Sequence, residues 1–86
     1  MPPNYTINLT SQARRDLDRL PQHIRAWAVE TIDNLAIEPR PSGCKRLQGG
    51  LGYSIRRGHT RLVYDVTDRM LLIVVVRVAH RRDFYR

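Results

Sequence analysis

Tyr53-Ser54-Ile55-Arg56-Arg57-Gly58-His59-Thr60-Arg61-Leu62-Val63-Tyr64-Asp65-Val66 is the stretch that decides the fold. Tyr53 to Arg57 alternates, Gly58-His59 reads as a tight turn, and Thr60 to Val66 returns with Leu62, Tyr64 and Val66 on one face. A period of two is the signature of a half-buried strand, so this is a β-hairpin. Asp68-Arg69 marks a second turn, after which Met70–Val78 is a nearly continuous run of Leu, Ile and Val. A strand apolar on both faces belongs in the middle of a sheet. If Leu62, Tyr64 and Val66 face the core, then Arg61, Val63 and Asp65 face away. The alternation that buries Ile55 likewise leaves Ser54 and Arg56 on the opposite face. Arg56 and Arg61, joined by one hairpin, therefore converge on a site the size of a phosphate. Arg77 is the odd residue in its strand; an unpaired buried guanidinium is costly. It is expected on the exposed sheet face or paired with an acid such as Asp65.

Upstream the period changes. Tyr5 to Leu9 alternates as a short strand, and Thr10 or Ser11 can cap a following helix. Ala13, Leu17 and Leu20 form its apolar stripe, and Pro21 suits the first turn of a second helix. That helix shows Ile24, Trp27, Ala28, Ile32, Leu35 and Ala36 on one face, with a stop at Glu38-Pro39. Pro39 to Gly43 is a loop, and Lys45-Arg46-Leu47 leads into the Gly49-Gly50-Leu51-Gly52 turn. The sum is an α+β fold: an N-terminal strand and a two-helix hairpin packed on an antiparallel meander. At 86 residues it is one domain, residues 1–86, without repeat or linker.

Composition narrows the function. There are 15 Lys and Arg against 8 Asp and Glu, for a net charge of +7, and Lys45 is the single lysine. The excess is lopsided: residues 1–38 carry −1 and residues 39–86 carry +8, with no acid between Glu38 and Asp65. The partner is therefore expected to be polyanionic or acidic. One cysteine, Cys44, excludes a disulfide framework and any Cys-based zinc site. The longest apolar run, Met70 to Val76, is too short to span a bilayer, and MPPNYTINLT has no features of a secretion signal. A cytoplasmic protein is expected, with no membrane partner. Asp65, Asp68 and Asp83 are isolated and do not make a magnesium site. His80 is the one candidate near the basic tail whose unperturbed pKa, about 6.5, suits acid–base work at neutral pH.

Lys45-Arg46-Leu47-x-Gly49, Tyr53-Ser54-Ile55-Arg56, Arg61-Leu62-Val63-Tyr64-Asp65-Val66 and the ending Arg77-Val78-Ala79-His80-Arg81-Arg82-Asp83-Phe84-Tyr85-Arg86 together resemble the RelE/ParE toxin superfamily, RelE branch. The resemblance spans essentially the whole chain and implies a RelE-like, microbial-RNase-type fold. It implies a prokaryotic toxin of a type II toxin–antitoxin system that cuts mRNA in the ribosomal A site, using the RNA's own 2′-hydroxyl and no metal or cofactor. A RelB-like antitoxin, acidic and helix-rich, is the implied partner. Carried over by position, Arg61 matches the arginine on the scissile phosphate, and Arg81 the one that stabilises charge or assists the leaving group. Tyr85 matches the tyrosine that stacks on a base or takes the 2′-hydroxyl proton. Arg56 holds a position that is usually basic, and His80 stands where the best-studied member has lysine. Ser54 departs from a second basic position. Lys45, Arg46, Arg57, Arg77 and Arg82 are the expected RNA and ribosome contacts. The alternative within the superfamily is a ParE-like toxin that inhibits DNA gyrase and cuts nothing.

Overall fold

The computed structural model describes residues 4–50 and 52–80. The elements run β1 (Thr6–Leu9), α1 (Ser11–Arg19), α2 (Gln22–Leu35), β2 (Lys45–Arg46), β3 (Tyr53–Arg57), β4 (Thr60–Thr67) and β5 (Leu72–His80). They form one five-stranded sheet in the order β1-β5-β4-β3-β2, with β1 parallel to β5 and every other pair antiparallel. The apolar run is thus a central strand, as its two-sided hydrophobicity requires. It starts later than Met70, however. A 3₁₀ turn occupies Asp68–Met70, and Leu71 adopts a left-handed conformation (φ 48°) before pairing resumes at Leu72. Lys45-Arg46 is a two-residue edge strand, too short to show any alternation.

Both helices cover one face. Thr10 caps α1, its hydroxyl accepting from the Ala13 N–H, and Pro21 precedes the first turn of α2. Ala13 and Leu17 of α1 and Ala28, Ile32 and Leu35 of α2 pack on Leu62, Tyr64, Ile73, Val75 and Val78. Trp27, on the α2 stripe, is only partly buried. No described helix is long and apolar enough to cross a membrane. At one end of the sheet Tyr64, fully buried, donates to the Pro39 carbonyl (2.8 Å) and stacks on Tyr53. Burial pushes the Tyr64 phenol well above its usual range. Arg40 lies over the Tyr53 ring and pairs with Asp68 at 2.8 Å, which ties the loop after α2 to the strands.

Arg77 is resolved by a device that the sequence hides. The β4–β5 register shifts at Val63/Tyr64: Val63 faces Arg77 but Tyr64 faces Val75, so Val76 is an extra, bulged residue. A bulge flips the parity of everything beyond it. Ile73 and Val75 face the helices before it, and Val78 and His80 after it, so Arg77 leaves the core. Its partner is Asp16 of α1, not Asp65: Arg77 Nε donates to Asp16 Oδ2 at 3.1 Å. Asp16, 3% exposed, also accepts from the Val78 N–H (2.9 Å) and from Gln12 Nε2 (2.9 Å). The chain leaves β1 at Thr10, which bonds Val75 and Val76. Past that point the Asp16 carboxylate stands in for a neighbouring strand along the edge of β5.

Burial alone would raise the Asp16 carboxyl. The hydrogen bonds from Arg77, Gln12 and Val78 outweigh it and hold the group below the usual carboxylate range. Asp16→Ala leaves the Val78 N–H and the guanidinium without that acceptor. Since Arg77 is partly solvated, the expected loss is about 2–3 kcal/mol in urea denaturation at pH 7. A depressed folded pKa stabilises above the unfolded value of about 3.9 and stops doing so as pH falls through the folded value. The stability gap between wild type and Asp16→Asn should therefore narrow below about pH 4. A gap that stays constant down to pH 2.5 or so contradicts the assignment.

Candidate nucleic-acid interface

The β3–β4 hairpin sorts its arginines by parity. Arg56 pairs directly with Arg61, and Ser54 with Val63, on the face away from the helices. Two like charges on directly opposed positions of one face favour anionic partners. Antiparallel pairing with β2 then puts Lys45 opposite Ser54 and Arg46 opposite Tyr53. The result is a cleft of about 530 Å³ whose lining includes Lys45, Arg46, Ser54, Arg56 and Arg61, with Gly43 and Gln48 on its wall. No carboxylate lines it among the described residues. Four cations around one concavity form an anion site, and arginine's planar fork suits phosphate oxygens.

The wall depends on a close approach. Gly52, buried with φ of 97°, passes against the Tyr64 backbone, where a Cβ would collide with the Tyr64 carbonyl oxygen. Its own carbonyl accepts from Leu47 N–H at 2.8 Å and so closes the segment that carries β2. No side chain larger than hydrogen allows that turn.

The remaining sequence candidates lie elsewhere. Arg57 alternates to the helix side, where its guanidinium carbon sits 5.9 Å from the centre of the Trp27 ring. His80 pairs with Thr60, also on the helix side, and its Nδ1 shares a 2.9 Å hydrogen bond with the Thr60 hydroxyl. Arg61 pairs with Ala79 on the opposite face, so His80 and Arg61 are not brought together. Arg77 is engaged with Asp16 at the edge of β5. Arg81, Arg82 and Tyr85 fall outside the described residues. The placement of Lys45 beside Ser54 is new. It restores a positive charge next to the position where the resemblance led us to expect one, and only strand pairing could reveal it.

Residues 7–85 match the family described as ParE toxin of type II toxin-antitoxin system, parDE. The chain belongs to the RelE/ParE family of type II toxins. It is 44% identical to Toxin RelG of Mycobacterium tuberculosis, over 95% of this chain and 97% of that protein. It is 36% identical to Toxin RelE of the same organism, over 95% of this chain and 87% of that protein. Among solved structures it resembles the toxin–antitoxin complex RelBE2 from Mycobacterium tuberculosis. There the TM-score is 0.77 at 40% identity, covering 91% of this chain and 99% of that one. The two-helix, five-strand architecture of this toxin is thus a shared one.

If the cleft binds the RNA backbone, each arginine contributes one phosphate contact. Arg56→Ala and Arg61→Ala should each weaken binding of a short single-stranded RNA by roughly tenfold and reduce the slope of log K against log salt by about 0.7. Arg40→Ala, whose guanidinium is held by Asp68 at the other end of the sheet, should leave that slope unchanged. Fluorescence anisotropy at several salt concentrations measures both; equal slopes in all variants would remove the cleft from consideration.

Proposed function

We propose that this toxin is an endoribonuclease that cuts mRNA on the ribosome, in the cytoplasm of a prokaryote, and that a RelB-like antitoxin neutralises it. The observation that carries the reading is the direct pairing of Arg56 with Arg61 in a cleft that no carboxylate lines among the described residues. The RelBE2 structure that it resembles is a toxin–antitoxin complex, which supports an antitoxin partner. An acidic, helix-rich antitoxin would compete with RNA for the +8 half of the chain.

The chemistry is transesterification. The 2′-hydroxyl attacks the adjacent phosphorus and loses its proton to a base. The bond to the 5′-oxygen breaks, and that oxygen takes up a proton, leaving a 2′,3′-cyclic phosphate and a 5′-hydroxyl. Charge builds on the phosphorane oxygens, and Arg61 with Arg56 stabilises it through hydrogen bonds that strengthen as it grows. Lys45 adds a point charge beside Ser54. Arg81 and Tyr85 keep the roles the resemblance implies: charge or leaving-group assistance for the first, base stacking or proton transfer for the second. His80, on the helix side with Thr60, lies across the sheet from this phosphate site.

The rival is a toxin that inhibits DNA gyrase, a reading that the ParE description of the family keeps in play. The ending His80-Arg81-Arg82 with Tyr85 favours the nuclease, because the resemblance to the RelE branch gives that tyrosine a role at the nucleotide. Primer extension on mRNA from induced cells should show breaks positioned by codon. Arg61→Ala should lower cleavage by 100-fold or so, the scale of one lost electrostatic donor, with the fold retained. Tyr85→Phe should relieve growth arrest, and EDTA should leave cleavage intact. Intact transcripts alongside lost supercoiling activity would decide for gyrase.

A further inference from the structure

The strand parity that sends Arg56 to the phosphate cleft sends Arg57 to the other side of the same hairpin, and there a second concavity opens. It holds about 270 Å³ and is lined by His23, Trp27, Arg57, Gly58, His59 and His80, among others. Its volume falls below the roughly 300 Å³ at which drug-sized pockets begin, so it suits one planar ring rather than a whole ligand. Trp27 is the only tryptophan in the chain, and it is not sealed in the core: it is partly buried, with Arg57 poised over its ring. An indole, a guanidinium plane and imidazole rings are the groups on which unstacked bases settle. No carboxylate lines the concavity among the described residues.

Gly58 links the two sites. It lines this pocket and also the Arg56/Arg61 cleft, at the exposed tip of the hairpin. A Cβ built there would meet nothing, so the space above the tip is open. A single strand whose phosphate lies between Arg56 and Arg61 can cross that tip and turn a neighbouring base toward Trp27. We propose that the Trp27–Arg57 pocket is a nucleobase subsite for single-stranded RNA, holding a base next to the phosphate bound in the cleft. The inference rests on the reading that the cleft binds RNA. The subsite would add affinity and fix the strand's direction across the hairpin. It would also couple helix α2 to substrate recognition.

Trp27 supplies its own probe. A short 2′-O-methyl RNA, which lacks the attacking hydroxyl, is titrated into the protein beside an abasic strand of equal length and charge. Anisotropy of a labelled strand reports binding, and Trp27 emission reports stacking. Both strands should bind, but only the base-bearing strand should quench Trp27. Arg57→Ala and Trp27→Leu, checked for fold by circular dichroism, should each reduce the preference for the base-bearing strand by roughly fivefold or more. Binding of both strands without base-dependent quenching would overturn the subsite and leave the cleft standing. Binding of neither strand would overturn the cleft reading and the subsite with it. Base-independent quenching by an acidic helical peptide, with none by RNA, would give the pocket to a protein partner instead.

Discussion

A single carboxylate closes the edge of the central strand. β1 accompanies β5 only as far as Val75, because the chain turns at Thr10 to start α1. Beyond that point β5 would show unpaired backbone beside a bulge, and unpaired backbone polar groups next to a core are costly. Asp16 reaches down from α1 and accepts from Val78, while Arg77 balances its charge. One contact therefore docks α1 on the sheet and satisfies the strand edge. It also anchors β5 after the parity change, and β5 carries the chain toward Arg81 and Tyr85. The alternation along β4, against which β5 pairs, is what aims Arg61 into the cleft.

Parity is the rule that converts this architecture into function. In a strand, neighbouring residues serve opposite faces, so the dipeptide Arg56-Arg57 serves two environments. One arginine meets Arg61 in a cationic cleft; the other covers Trp27 on the helix side. The same rule separates His80 from Arg61 although both sit on the same pair of strands. A toxin acting on a threaded single strand gains from this arrangement. In the proposed reading the cationic cleft takes phosphates, the Trp27–Arg57 side takes a base, and Gly58 lies between them.

Much of this is legible in the sequence. The period-two hairpin, the Thr10 cap, the α2 stripe and the central position of the apolar strand follow from local patterns that tertiary contacts reinforce. The convergence of Arg56 and Arg61 follows from counting alternate residues on two strands joined by a short turn. What escaped depends on non-local pairing. A bulge leaves no mark in a run of valines, so Val76 could not be singled out and Arg77 could not be given Asp16, which lies far upstream. The edge strand Lys45-Arg46 is too short to have a period, and its lysine finds Ser54 only through register. Leu71 in a left-handed turn is also unforeseen, since nothing about leucine favours that backbone.

The central claim is that the Arg56–Arg61 pair holds the phosphate at which RNA is cut. The measurement that meets it most directly is a structure of the toxin bound to a short RNA bearing a 2′-O-methyl group at the cleavage position. The phosphate of that nucleotide should lie within hydrogen-bond distance of both guanidinium groups, on the sheet face away from the helices. A phosphate found on the helix side, or bound without either arginine, would contradict it.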